Sequence, residues 1–365
     1  MSCNDSRKPT ICIVTCYRQP DYLRAATLRQ GLKDSEVFSE VTIVKNRHTN
    51  VLRYADVLLE LLKVRFTKNP DAYLITFRGY ELLPLVLMIG AGKKILYDEF
   101  INPVEWFVHE HKYLVGPLSF LGYLIRFFYS KMMKHTQAVI ADTGSHADYS
   151  AKLMLLPTSK YFVIPVGADE SMFKPLPAPA KKQFRVLYYG SMLPLHGIGY
   201  VLDAAVKLAS NSNIEFHIVG GKHAVAEAVK DARSRGARIH YDSWIEYSKL
   251  PKIFEQSNIC LGGPFGDTVQ AQYVVTGKTY QFLASTRATI VGKNQETRLF
   301  TDKKDALVVS QADSDAIARV IEWAYAHPNE LQVIAENGRK LYERLFSSKQ
   351  IANDLRRLFV TKHIF

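Results

Sequence analysis

Leu187-Tyr-Tyr-Gly-Ser-Met-Leu-Pro-Leu-His-Gly197 reads as a β-strand running into a glycine-punctuated turn and then a helix. A turn of this kind points backbone N–H groups and a helix N-terminus at a phosphate. Further along, Gly277-Lys-Thr-Tyr-Gln-Phe-Leu-Ala284 puts a lysine at the start of a second helix. Together the two segments predict a site for a phosphorylated, nucleotide-linked ligand on an α/β scaffold. Gly190, Gly197 and Gly199 lack the G-x-G-x-x-G spacing of a dinucleotide fold, which argues against nicotinamide chemistry. A P-loop also fails, because Gln272 stands where that motif needs its first glycine. His196 stands at a helix entrance, where a purely structural role would favour Ser, Asp or Asn and where an imidazole can donate to a phosphate oxygen. Lys278 can bind the same anion, and Lys222 in Val219-Gly-Gly-Lys222 is a third candidate cation. Plainer readings remain for each: a glycine that closes a turn, a lysine solvated in a first helical turn.

Outward from these segments, short β-rich runs alternate with helical patterns along the chain, the signature of βαβ units and parallel sheets. Strands are expected at Thr10–Thr15, Val41–Lys45, Ala72–Phe77, Lys94–Tyr97, Ala138–Ala141 and Tyr161–Ile164, with helices at Asp21–Leu32, Tyr54–Phe66 and Leu82–Ile89. The pattern breaks at Lys174-Pro-Leu-Pro-Ala-Pro-Ala-Lys-Lys182, whose alternating prolines read as an extended linker. It then restarts at Phe184–Tyr189 and continues through Ile214–Val219, Arg238–Tyr241, Ile259–Gly262 and Ala288–Val291, ending in helices. The expected organisation is an amino-terminal Rossmann-like domain over 1–175, a linker at 176–182, and a carboxy-terminal Rossmann-like domain over 183–346. A last helix over 347–365 is expected to pack back on the first domain. Ligands of doubly wound sheets collect at the carboxyl ends of the strands, so a cleft between the domains is the expected active site.

At 365 residues, two domains are the default. The chain is 47% hydrophobic and 22% charged, a globular balance, and its net charge of +12 favours an anionic partner. Four cysteines, irregularly placed, do not make a disulfide framework, and the polar start lacks a secretory apolar run, so a cytoplasmic setting is expected. Cys12 and Cys16 have no second ligand pair, and His109 and His111 point apart on a helix, so no metal site is expected. A nucleophile elbow is absent from the sequence. The basic residues are dispersed and accompany no nucleic-acid motif.

In the first domain, Ile95-Leu-Tyr-Asp98-Glu99 places two carboxylates at a strand end, where they can bind sugar hydroxyls, act as a base or cap the next segment. The apolar run Tyr113–Ile125 is too short and too broken to span a bilayer. The stretch Arg126-Phe-Phe-Tyr-Ser-Lys-Met-Met-Lys134 interleaves aromatic and basic residues, which suits either an interfacial helix on an anionic membrane or a buried helix with a basic end.

Several of these segments resemble the retaining, nucleotide-sugar-dependent glycosyltransferases of family 4, which have the two-domain GT-B fold. Ile164-Pro-Val-Gly-Ala-Asp-Glu-Ser-Met-Phe173 is similar to the segment that closes their first domain. Gly190-Ser-Met-Leu-Pro-Leu-His-Gly197 resembles the donor phosphate loop of a subgroup that writes it P-L-H-G. Gly277–Ala284 and Ala288-Thr-Ile-Val-Gly-Lys-Asn-Gln-Glu296 resemble the donor-site helix and the following strand, while Ala141-Asp-Thr-Gly-Ser-His146 and Leu96-Tyr-Asp98 echo the subgroup in the first half. Many members carry two glutamates eight positions apart that bind sugar and ribose hydroxyls; here those positions are Tyr273 and Gln281. Gln281 can still hydrogen-bond a hydroxyl without charge, and Glu296 can hold the ribose instead. Asp98 stands in place of the usual cleft histidine.

The resemblance implies a GT-B hexosyltransferase that uses a nucleoside diphosphate sugar, retains configuration and needs no cofactor or obligatory metal. His196, Lys278 and Asp98 would act at the reacting centre. Gly190, Ser191, Gly197, Gly220, Lys222, Trp244, Tyr273, Gln281 and Glu296 would bind the donor, and Glu99 and His109 the acceptor. The expected acceptor is a glycan or lipid-linked molecule, and the basic and aromatic residues between Phe120 and Lys134 could bring the enzyme to it by peripheral contact with an anionic membrane on its cytoplasmic face. The competing reading is a non-catalytic GT-B-like module that binds a nucleotide sugar or a membrane surface, which the missing glutamates favour.

Overall fold

The computed structural model describes residues 7–110, 119–179 and 183–365, apart from the side chains of 109, 110 and 119. The polar start, most of the apolar run before Gly122, His111 and the end of the proline segment lie outside the described residues.

In the first half, strands β1 (Thr10–Thr15), β2 (Glu40–Lys45), β3 (Ala72–Thr76), β4 (Lys94–Asp98), β5 (Ala138–Ala141) and β6 (Tyr161–Val163) form one parallel sheet in the order β2-β1-β3-β4-β5-β6. The middle of β1, Ile11 to Val14, is buried on both faces, as it must be where crossover helices cover both sides of a parallel sheet. Those crossovers are α1 (Leu23–Asp34), α2 (Arg53–Thr67), α3 (Leu83–Ile89), α4 (Ser119–Lys134) and α5 (Gly144–Met154). The α5 helix was not expected from its polar start; it is capped by Thr143, whose hydroxyl accepts the His146 N–H.

In the second half, β7 (Phe184–Tyr189), β8 (Ile214–Val219), β9 (Ile239–Asp242), β10 (Ile259–Leu261), β11 (Ala288–Gly292) and β12 (Leu307–Val309) form a second parallel sheet, ordered β12-β11-β10-β7-β8-β9. Helices α6 (Ile198–Lys207), α7 (His223–Ser234), α8 (Leu250–Glu255), α9 (Gly277–Ala284), α10 (Ser314–Ala326) and α11 (Pro328–Leu345) flank it, and α12 (Ser348–Thr361) closes the chain. The edge strand β12 was not expected; three residues carry too little periodicity to be legible.

Two compact units result: the chain up to Val166 together with Ser348–Phe365, and Gly167–Ser347. Passage between them falls at Val166–Gly167, upstream of the segment 176–182 expected to be the linker. The reason is that the intervening stretch is fastened to the second unit. Phe173 stacks on Phe254 at 5.3 Å, the Leu176 N–H donates to the Ser285 carbonyl, and Arg287 donates to the Pro177 carbonyl at 2.7 Å. The α12 helix lies in the first unit against α1, where Gly31 permits the approach: a Cβ there would sit 2.7 Å from Ile351 Cγ2.

Candidate active site

The second sheet reverses its winding direction between β7 and β10, which are hydrogen-bonded neighbours through Val186–Ile259 and Leu187–Cys260. From β7 the chain proceeds outward through α6 to β8, and from β10 through α9 to β11 on the other side. The two helices therefore begin beside each other at the carboxyl edge of the sheet, the switch point where α/β folds bind ligands. The β7 strand shows both faces there. Tyr188 belongs to the core shared with Val201 and Leu202 of α6, while Tyr189 packs on Phe254 and on Phe282 of α9.

Gly190 follows β7 directly, with φ of +145° and its N–H on the Val219 carbonyl. A Cβ built on it would lie 3.6 Å from His196 Cε1 and 3.7 Å from Lys278 Nζ, so the glycine, imidazole and ammonium surround one spot. Lys278, in the first turn of α9, is only 6% exposed and its Nζ has no hydrogen-bond partner. It lies 4.2 Å from the centre of the Tyr188 ring, and burial pushes its ammonium down to about 7. His196 has a buried Nδ1 without a partner. Burial, reinforced by Lys278, holds this imidazole well below its usual range, hence neutral. The Tyr188 hydroxyl donates to the His196 carbonyl at 2.5 Å and locks the short helical turn Pro194–His196 in place.

Two buried nitrogens without partners, beside a glycine and two helix starts, have the chemistry of an anion receptor. The glycines make it close-fitting. Gly197 adopts φ of +64°, and a Cβ there would stand 2.6 Å from the Gly266 nitrogen; one on Gly220 would stand 2.2 Å from the Gly190 carbonyl oxygen.

The other expected donor-site residues distribute around this centre. Gln281, one helical turn after Lys278, donates Nε2 to the Tyr247 hydroxyl at 2.7 Å and keeps a buried Oε1 without a partner. Tyr273 is buried beyond the short turn Gln270–Gln272. Glu296 is buried after β11 in a turn capped by Asn294, with Arg298 3.5 Å from its Oε1. Ser191 and Lys222 are exposed on the loops after β7 and β8. Trp244 is 76% exposed and follows β9, two strands away from β7, so it is not gathered into the receptor. Tyr188, Tyr247 and Thr276, whose hydroxyl donates to the Gly262 carbonyl at 2.6 Å, were not singled out from sequence. A tyrosine in a strand looks like core, and only the fold sets Tyr188 under the ammonium.

In the first unit the structure gives Asp98 a task other than orienting or deprotonating an acceptor. Its carboxylate is fully buried and fully engaged: Oδ1 accepts from Arg24 Nε at 3.0 Å and Nη2 at 2.8 Å, and Oδ2 accepts from the Phe77 N–H. Arg24 Nη1 in turn donates to the carbonyls of Ile164 and Pro165. The pair fastens α1, β4 and the chain leaving β6. Glu99 is also fully buried, its Oε1 accepting from Asn102 and Ser150, and burial raises its carboxyl above the usual range. Beside it, burial opposes protonation of His146, but the Asp142 carboxylate 2.7 Å from Nδ1 prevails and moves the imidazole up to about 9. His109 lies in the wide helical turn Glu105–Glu110, its side chain outside the described residues. A basic depression lined by Arg7, Lys68, Lys93 and Lys94 sits at the amino ends of the first sheet's strands, away from any carboxyl-edge site.

Residues 201–357 match the family model described as glycosyl transferase-like. The structure is similar to that of Anabaena HepE in complex with UDP and glucose, with a TM-score of 0.68 and 11% identity over 97% of this chain and 100% of the other. It is similar to sucrose-phosphate synthase from Thermosynechococcus elongatus, with a TM-score of 0.72 and 14% identity over 97% and 98% of the two chains. A glycosyltransferase from Rickettsia africae matches with a TM-score of 0.67 and 14% identity over 98% of each chain. No curated protein is significantly similar in sequence. The two six-stranded parallel sheets with flanking helices are the GT-B fold.

Proposed function

We propose that this chain is a glycosyltransferase that moves a hexose from a nucleoside diphosphate sugar to a glycan or lipid-linked acceptor, with retention at the anomeric carbon. One observation carries the reading: Lys278 Nζ and His196 Nδ1 are both buried without partners around Gly190, at the switch point of a GT-B domain. When the bond between the anomeric carbon and the diphosphate oxygen breaks, negative charge collects on the diphosphate. Donors already fixed around it bind that added charge more strongly than the less charged ground state. The acceptor oxygen bonds to the anomeric carbon and its proton passes to the departing diphosphate, since the Asp98 carboxylate is held by Arg24 and Glu99 is fully buried. The free Gln281 Oε1 accepts a sugar or ribose hydroxyl, and Glu296 lies on the neighbouring strand end for the second contact. Lys278 supplies the neutralising charge and the neutral His196 a hydrogen bond, so transfer is expected to persist in EDTA.

A panel of nucleoside diphosphates and their sugars, UDP and UDP-glucose among them, tests this by thermal shift, since a ligand at about 100 times its dissociation constant adds about 2.7 kcal/mol. Stabilisation by none of them overturns the reading. Stabilisation without transfer to any acceptor would favour the non-catalytic module, the reading suggested by Tyr273 and Gln281 in place of glutamates.

Contact with a cytoplasmic anionic membrane completes the proposal and rests on α4. Tyr129 and Ser130 bond inward to the Tyr80 and Met154 carbonyls, and Met133 is fully buried. Phe120, Tyr123, Leu124, Phe127 and Phe128 form an outward stripe, each at least 45% exposed, beside Arg126, Lys131 and Lys134 in a helix with no acidic residue. An aromatic stripe edged by cations fits an anionic headgroup layer. Among the described residues no helix is long and apolar enough to cross a membrane.

A further inference from the structure

His217 on β8 and His240 on β9 are paired across the parallel ladder, and Asp242 follows two residues after His240 on the same face. Asp242 Oδ2 lies 2.8 Å from His217 Nε2 and 3.1 Å from His240 Nε2, and one ligand atom from each residue lies within 4.8 Å of the other two. The imidazole planes meet at 66° with centroids 4.6 Å apart, so both Nε2 atoms converge on the carboxylate while the rings stay clear of each other.

We propose that His217, His240 and Asp242 form a binding site for one divalent late first-row transition-metal ion, separate from the donor site. Ligand atoms bonded to a tetrahedral zinc at roughly 2.0–2.1 Å stand about 3.3 Å apart, so small side-chain rotations seat an ion among the three. Two imidazoles and one carboxylate suit Zn²⁺, Ni²⁺ or Cu²⁺, whereas Ca²⁺ and Mg²⁺ want an all-oxygen shell. The platform is rigid, since all three residues sit on paired strands. It is also open on one side: His217 is 5% exposed but the His240 side chain 57% and that of Asp242 35%, which leaves a position for water. The nearby Arg185 charge is balanced by Glu215 at 3.3 Å. An ion here ties β9, an outer strand of its sheet, to β8. The same Asp242 accepts the Gly220 N–H on its backbone carbonyl at 2.8 Å, so the ion braces the strand end behind the phosphate loop while touching no reacting atom.

Titration of tag-free, EDTA-stripped full-length protein with Zn²⁺ by calorimetry, and with Co²⁺ followed by ligand-field absorption, tests the site. Binding of one ion per chain is expected, with a Zn²⁺-dependent rise in unfolding temperature. His240→Ala, at an exposed position where folding is preserved, should weaken binding at least tenfold and abolish the thermal shift, and Asp242→Asn should weaken it as well. Zn²⁺ binding that is absent, or unchanged in His240→Ala and Asp242→Asn, overturns the proposal. UDP binding by His240→Ala should match wild type, which keeps this result distinct from a failure of the donor-site reading.

Discussion

Lys278 is a charge without a hydrogen-bonding partner in a dry place, a cost to the free protein that the proposed donor-binding role explains. Lys278→Ala should lower transfer roughly 10²–10³-fold, the effect of losing one preset donor to a developing anion. Lys278→Met should also abolish transfer while raising stability by roughly 1–3 kcal/mol, since it removes a buried polar group lacking hydrogen bonds, and chemical denaturation measures it. The ammonium titrates at about 7 in the free protein, whereas a bound diphosphate demands the charged form. Binding should therefore take up a proton above pH 7, and affinity should fall by up to about tenfold per pH unit from there. Calorimetry in buffers of different ionisation enthalpy reads that proton, and Lys278→Arg should remove it. For the unliganded protein the sign is opposite: the depressed pKa makes this group's contribution to stability rise as pH climbs from about 7 toward the ordinary lysine value. Arg24 and Asp98 answer to the same electrostatics in another way. Arg24→Leu leaves a carboxylate buried alone and should cost about 3–5 kcal/mol.

Among the elements, most were legible from period and punctuation. The strands Thr10–Thr15, Phe184–Tyr189 and Ile214–Val219 lie where alternating β-rich runs predict them, because a buried parallel strand needs apolar side chains on both faces. The α5 helix was not, since its sequence begins Gly-Ser-His and its capping threonine is an unremarkable residue until the backbone turns. The α12 helix shows what packing adds: Leu28, Leu32 and Phe38 share one core with Ile351, Leu355 and Phe359. Truncation after Ser347 should therefore unfold the first unit, seen as loss of circular-dichroism signal and of a cooperative transition. The exposed stripe of α4 makes a separate prediction. Wild-type protein should sediment with phosphatidylglycerol vesicles at low salt and release as salt rises, while a Phe127→Ser, Phe128→Ser, Lys131→Glu triple variant should stay in the supernatant with its fold intact.

For the whole molecule, two units with their own cores should unfold in two transitions, and only the one belonging to Gly167–Ser347 should shift when UDP is added. Differential scanning calorimetry decides this, and a UDP shift of the other transition would place the donor site in the wrong unit. The sequence alone determined the alternation of strands and helices, the doubly wound class and the identities of Gly190, His196 and Lys278, because periodicity, glycine punctuation and a cation at a helix start are local properties. Tertiary structure alone decided that β7 and β10 lie side by side and so bring Lys278 against His196. It also decided that Asp98 spends its charge on Arg24, and that His217 meets His240 and Asp242. Those outcomes depend on which distant strands and helices pack together, and the energy of such pairings comes from burial and long-range contacts that no local stretch of residues displays.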